Sequence, residues 1–237
     1  IDKIYIWNGR RSCDAPLVYA AKHSGIQYAV FISGGSRNSL LVRDETLTVH
    51  DIPSARDELK EITGKIESNV DRFSITKGAV NYFNYSSGSC QSDTVNYVGF
   101  YQFSKNFDKT DISTLNAKTG RQIIAVFIGT YSEYAGVPGY DNPDNFCNNF
   151  YEGVSFLQEN LHRINNAELR IRWHPNSRHL RGNERDKLEK IIERGSCISN
   201  VQHIPPKSNF NTYDLINSCD ICVGFGTSVS VESCLYG

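Results

Sequence analysis

Methionine is absent from all 237 residues, position 1 included. The chain therefore reads either as a piece of a longer protein or as one with residues left out, and motif spacings are taken loosely. No run of about 20 apolar residues occurs, which argues against a transmembrane helix. The N-terminus also lacks the basic-then-apolar pattern of a secretory signal. Neither sign of charge is in excess: 25 Lys and Arg stand against 26 Asp and Glu, a net charge of −1, so no global field favours nucleic acid or an anionic membrane. A cysteine framework is missing as well. The 7 cysteines are odd in number and scattered, which fits a reducing cytosol better than a disulfide scaffold. Cys219 and Cys222 form a lone C-x-x-C with Cys222 inside an apolar strand pattern, which argues against a zinc or redox motif. The expectation is a soluble, cytoplasmic protein without a membrane span, compatible with a peripheral place at the cytoplasmic membrane face.

What is present is a repeated alternation of short apolar runs and amphipathic segments. Lys3 to Trp7 reads as a strand, Ala15 to Ser24 as a helix closed by Gly25, and Ile26 to Ile32 as a second strand halted by Gly34 and Gly35. Such a β-loop-α-β unit implies a parallel sheet. Pro53 opens an amphipathic helix to about Val70, with Asp57, Glu58 and Glu61 in its early turns matching the helix dipole. Residues 71–103 are rich in aromatics and interrupted by serines, and residues 107–120 are polar, as in a linker.

A second βα series then begins. Arg121 to Ile128 is the most apolar strand, followed by a Gly-, Tyr- and Pro-rich loop from Gly129 to Asn145. The next helix, Phe146 to Ile164, carries Phe150, Val154, Leu157 and Leu161 on one face. Beyond it lie a strand Glu168–Trp173, a helix Asn183–Arg194, a strand Val201–Ile204, the turn Pro205-Pro206, a helix Asn211–Ser218 and a strand Ile221–Val223. The fold class is α/β, with two Rossmann-like parallel-sheet domains, 1–118 and 119–237, facing a cleft.

The chemistry concentrates after the strands of the second half. Ile221 to Val223 runs into Gly224, Gly226, Thr227 and Ser228 and then a helix-like segment from Val229 to Tyr236, an arrangement that offers backbone N–H groups and hydroxyls to an anion. Glu232, one turn further, is placed to accept hydrogen bonds from ribose hydroxyls. The strand ending at Trp173 delivers His174 to the edge where open α/β sheets bind ligands. Around it Arg163, Arg170, Arg172, Arg178, His179, Arg181 and Arg185 form a basic region, readable as a phosphate-binding surface or as a solvated helix face. A glycine turn and a histidine after a strand also suit α/β domains in general.

Outside that cluster, Glu133 follows a strand end and would act as general base or bind the acceptor; a loop carboxylate satisfied by backbone N–H groups is the plainer reading. Asn8, Gly9 and Arg10 follow the first strand, where either a ligand contact or a surface loop fits. His50 and Asp51 are consecutive, so on a strand their side chains diverge and they do not form a dyad.

These residues resemble bacterial surface-polysaccharide glycosyltransferases of the GT-B type. The likeness is carried by Phe127 to Ala135, by Ile171-Arg172-Trp173-His174-Pro175-Asn176, by Ile204-Pro205-Pro206-Lys207-Ser208 with Tyr213-Asp214-Leu215, and by Cys219 through Glu232 to Gly237. More faintly, Trp7 to Arg10 and His50 to Ile52 look like the first half of capsule and O-antigen enzymes. The His174-Pro175 pair with a downstream hydroxyl pair is also similar to what sialyl- and Kdo transferases use to hold a CMP-sugar.

The resemblance implies a transferase that moves a hexosyl, Kdo or sialyl group from a nucleotide-sugar to a surface glycan or glycolipid, in capsule or lipopolysaccharide synthesis. It implies no metal and no cofactor beyond the nucleotide-sugar, with no nucleic-acid partner. Glu133 and His174 would be catalytic. Arg172, His174, Pro175, Ser208, Thr227, Ser228 and Glu232 would bind the donor, and Asn8, Gly9 and Arg10 the acceptor or donor sugar. The family pattern also implies further chain after Gly237. A nucleotide-sugar epimerase of the same fold and a non-catalytic nucleotide- or glycan-binding module are the alternatives.

Overall fold

A computed structural model of the chain describes residues 2–9, 13–33, 40–46, 120–130, 149–208 and 210–234, with 57, 60, 61, 64 and 77 as isolated positions. Arg10, His50, Asp51, Glu133, most of the helix expected from Pro53, the aromatic segment 71–103, the linker up to 119 and the loop 131–145 lie outside the described residues. The chain divides into two compact units, 1–100 with 132–141 and 101–131 with 142–237.

In the first unit, β1 (Lys3–Trp7) pairs in parallel with β2 (Gln27–Ser33), and β2 pairs antiparallel with β3 (Leu40–Asp44). The connecting helix α1 (Ala15–His23) has Pro at its start and Lys22 and His23 in its last turn, the charge placement that suits a helix dipole. Its buried Val18 and Ala21 pack with Ile6, Tyr28 and Val30. Turning back through Gly25 in the left-handed region (φ 65°) leads the chain into β2. The antiparallel β3 makes this a mixed sheet; Leu40 to Val42 are all exposed, so no buried-face alternation marked the strand in the sequence.

The second unit holds a parallel sheet in the order β6-β5-β4-β7, built from β4 (Gln122–Ile128), β5 (Ala167–Arg172), β6 (Val201–Ile204) and β7 (Ile221–Phe225). The connections are α2 (Phe150–Asn160) with a 3₁₀ turn at Leu161–Arg163, then a 3₁₀ turn at Pro175–His179 with α3 (Asn183–Ser196), then α4 (Thr212–Ser218). A last described helix, α5 (Val229–Ser233), follows β7. β4 and β5 are buried along almost their whole length; β4 reads as a continuous apolar run for that reason, whereas β5 alternates Glu168, Arg170 and Arg172 with Leu169 and Ile171 and buries both faces. The protein is thus α/β, with a parallel four-strand sheet and a small mixed three-strand sheet. Among the described residues no helix is long and apolar enough to cross a membrane.

Local signals set these helices. Asn149 caps α2 by accepting from the Glu152 amide at 3.1 Å, and Asn211 caps α4 by accepting from the Tyr213 amide at 2.8 Å. Gly153 in α2 lies so near Phe225 that a Cβ there would approach the ring tip to 2.6 Å. Gly195 in α3 lies where a Cβ would overlap the side chains of His203 and Gln158. Both helices therefore lie against one face of the sheet, that of Ile171, His203, Val223 and Phe225.

Candidate functional site

The chain passes from β4 to β5 to β6 on one side and then crosses to β7 on the other side of β4. That reversal makes the carboxyl ends of β4 and β7 the topological switch point, where ligands of open α/β sheets bind. The sheet edge there is continuous, since the Gly129 amide donates to Phe225 O at 2.9 Å. Gly226 then turns the chain in the left-handed region (φ 59°), a conformation that costs a glycine little. Gly224 has no room for a side chain, because a Cβ would overlap the Ser230 hydroxyl. The small residues of this turn let α5 fold back tightly over β7.

Two of the predicted hydroxyls differ in their surroundings. Thr227 Oγ1 accepts from the Val229 amide at 3.3 Å and is half-buried, whereas Ser228 is exposed. Glu232 is 9% exposed and accepts a hydrogen bond of 2.6 Å from the Tyr213 hydroxyl. A ribose contact by Glu232 must therefore use what this bond leaves of the carboxylate.

At the end of β5, two strand spacings or about 10 Å from β7, stands the second group of predicted residues. Pro175 opens the 3₁₀ turn, and His174 caps it, with Nδ1 accepting from the Asn176 amide at 3.1 Å. A neutral imidazole whose Nδ1 accepts carries its proton on Nε2. Arg172 is 8% exposed. Its guanidinium donates through Nη1 to Pro205 O at 2.9 Å and through Nη2 to Ser208 O at 3.3 Å. The arginine thus holds the loop after β6, and with it Ser208, whose hydroxyl accepts from the Phe210 amide at 3.2 Å.

Nε of Arg172 is buried and has no hydrogen-bond partner among the described residues. Burial alone pushes its pKa down from 12.5 to about 10. That corresponds to a cost on the order of 3 kcal/mol for keeping the guanidinium charged. No carboxylate among the described residues offsets it. Its neighbour on the same face, Arg170, is 1% exposed and is paired at 2.6 Å with Glu168.

These contacts form one frame across the carboxyl edge. Arg172 fixes the loop 205–208, Ser208 and Asn211 fix the start of α4, and Tyr213 on α4 grips Glu232 on α5. Arg172 and Ser208 are in contact, and His174 and Pro175 continue from the same strand end. Thr227, Ser228 and Glu232 gather at the neighbouring strand end of the same unit. Tyr213 entered the sequence reading only within the stretch Tyr213-Asp214-Leu215, and nothing local reveals that it meets a glutamate 19 positions away.

On the opposite face, Trp173 Nε1 donates to His203 Nδ1 at 3.0 Å, and Gln158 lies 2.9 Å from His203 Nε2. Since indole only donates, Nδ1 must accept and Nε2 must carry the proton, so Gln158 presents its amide oxygen to it. Burial pushes the His203 pKa down from 6.5 to about 4. This ring is a core fastener between β5, β6 and α2, with no part in the ligand edge. Cys219 is likewise a half-buried thiol raised to about 11 by burial, far from the thiolate a redox or metal role requires.

In the first unit, Asn8 and Gly9 follow β1 with φ of 65° and 75°. The Asn8 amide donates to Phe31 O at 2.8 Å and the Gly9 amide to Trp7 O at 2.7 Å. Asn8, a non-glycine residue in the left-handed region at a strand's carboxyl end, carries backbone strain of the kind that clusters at ligand sites. Asn8 is 5% exposed, so its backbone presents the turn while its side chain is packed inward. Comparison with protein-family models and with curated proteins finds no match to this chain.

Proposed function

We propose that the protein is a glycosyltransferase of the GT-B type, and that its second unit binds the nucleotide part of a nucleotide-sugar donor. The observation that carries this reading is Arg172: a buried guanidinium at the carboxyl end of a central parallel strand, with no carboxylate beside it among the described residues. An anionic ligand at this edge would recover part of the desolvation cost.

In the proposed reaction the acceptor hydroxyl displaces the nucleotide at the anomeric carbon. Charge then grows on the departing phosphate, and fixed donors lower the barrier most where that charge develops. The Nε2–H of His174, the exposed Ser228 hydroxyl and the positive field of Arg172 fill that role. Thr227 shapes the turn through its bond to the Val229 amide, and Pro175 fixes the turn on which His174 sits. Glu133 as general base and Arg10 as a sugar contact enter from the sequence alone; Asn8 and Gly9 belong to the GT-B reading as the sugar side. The acceptor is a surface glycan or glycolipid, and the place of action the cytoplasmic side of the cell.

The test is a titration with CMP, UDP, GDP and their sugar conjugates, following the thermal midpoint, since a ligand that binds the native state raises it. A shift with one nucleotide class that Arg172→Met removes is the expected result. No shift with any of them sinks the donor-site reading. Binding without sugar transfer to any acceptor would point to a binding module.

A further inference from the structure

Arg172 ties the end of β5 to the turn that follows β6. The backbone ladder between the two strands closes with the Trp173 amide on Ile204 O at 3.2 Å. Pro205 and Pro206 carry no N–H and cannot extend it. Past that point the guanidinium takes over, with Nη1 donating to Pro205 O and Nη2 to Ser208 O. These two carbonyls bound a single turn, closed by the Ser208 amide on Pro205 O at 3.0 Å. One planar group thus grips both ends of the turn, which otherwise lies near the surface: Pro205 and Lys207 are exposed and Ser208 is half-buried.

The residue type at this place is informative. An apolar side chain would fill it without the cost of desolvating a charge. A lysine would bring the charge without the fork, since its ammonium is a compact, strongly hydrated point. A guanidinium offers two rigidly spaced donors to two carbonyls at once. What depends on that fork is Ser208. Its hydroxyl oxygen accepts from the Phe210 amide, which leaves the hydroxyl proton for a ligand. β6 neighbours β5 in the sheet, so the turn lies beside the strand end that carries His174. We infer that Arg172 is a positioning residue, which acts on the donor site by pinning the turn 205–208 and the Ser208 hydroxyl it carries, and that the fork is required in addition to the charge. This rests on the donor-site reading above. A turn left loose would have to be ordered when the ligand binds, and that entropy is subtracted from affinity.

The experiment combines calorimetry with CMP, UDP and GDP and hydrogen exchange of the Ser208 and Phe210 amides. It uses the wild-type chain, Arg172→Lys, and a double variant with Pro205→Gly and Pro206→Gly. Arg172→Lys keeps the positive charge, yet should weaken binding by about tenfold or more. It should also speed exchange of both amides while the urea midpoint stays near that of the wild type, because the opening is local. The double-glycine variant leaves Arg172 in place and loosens the turn itself. It should weaken binding of the same nucleotide, and it decides the matter if Arg172→Lys does not fold.

An Arg172→Lys variant that binds as the wild type does would show that charge alone serves, and would overturn the inference. Unchanged exchange of the two amides in Arg172→Lys would overturn it too, since the turn would then hold without the fork. So would a double-glycine variant with wild-type affinity, which would assign the arginine to the ligand directly. Each of these leaves the donor-site reading standing. A wild type that binds none of the three nucleotides removes both.

Discussion

The two faces of the four-strand sheet carry opposite chemistry on the same strand. On one face of β5, Leu169 and Ile171 lead to Trp173, all at most 1% exposed, packed under α2 and α3. On the other, Glu168, Arg170 and Arg172 are also buried, yet charged. A buried charge costs several kcal/mol unless paired, and the two arginines meet that demand differently. Arg170 is matched by Glu168 at 2.6 Å. Arg172, at the ligand edge, has only carbonyl partners and no matching charge among the described residues. The apolar face and the Arg170 pair hold the sheet together, while Arg172 carries its charge at the carboxyl edge with carbonyl partners alone among the described residues.

Substitution can break this contrast most sharply at the paired site. Arg170→Met should destabilise the protein by about 3–5 kcal/mol, because it removes the buried ion pair with Glu168 and leaves that carboxylate's charge less well matched in the interior. Arg172→Met should change stability by less than about 1 kcal/mol, since the relief of desolvation offsets the two lost bonds, and should abolish the nucleotide-induced rise in thermal midpoint. Urea denaturation of the two variants side by side measures the difference; equal destabilisation would erase the distinction between the arginines.

Gly195→Ala probes the apolar face. A methyl group there overlaps His203 and Gln158, and forcing that network apart should cost about 1–3 kcal/mol in spite of alanine's better helix propensity. An increase in stability would show that the network yields easily.

A smaller effect follows from pH. His203 has a folded pKa of about 4 against an ordinary 6.5. Because the folded value is the lower one, its contribution is complete above pH 6.5 and drains away as pH falls toward 4. With allowance for partial exposure, the loss is on the order of 1–2 kcal/mol. Urea midpoints between pH 7.5 and 4.5 should track this fall, and His203→Gln should flatten that part of the profile. The smallest effect is expected from Ser228→Ala, which should leave stability within about 0.5 kcal/mol of the wild type and weaken nucleotide binding several-fold.

Much of the second unit was legible before any coordinates. The apolar run at β4 and Gly226 past β7 are local signals, and the strands of this unit stand within a few residues of their sequence reading; the helix expected from Phe146 begins at Phe150, where Asn149 caps it. His174 at a strand's end was legible for the same reason. The antiparallel β3 was not, because an exposed strand has no buried-face periodicity to display. The contacts of Arg172 within the fold were not legible either; its partners are carbonyls 33 and 36 residues away, and no spacing encodes such a contact. Glu232 was read as an open ligand for ribose, whereas the fold gives one of its oxygens to Tyr213.

The sequence by itself determined where the strands of the second unit and the glycine turns after α1 and β7 occur, because those depend on side-chain shape and hydrogen bonding within a few residues. It also determined that His174, Thr227 and Ser228 follow strand ends. Only the tertiary structure decided the strand order β6-β5-β4-β7, which places the end of β7 at a switch point beside β4 and the end of β5 on the far side of β4. It also decided which buried charge meets a carboxylate and which meets only carbonyls among the described residues, since burial and long-range pairing are properties of the packed chain.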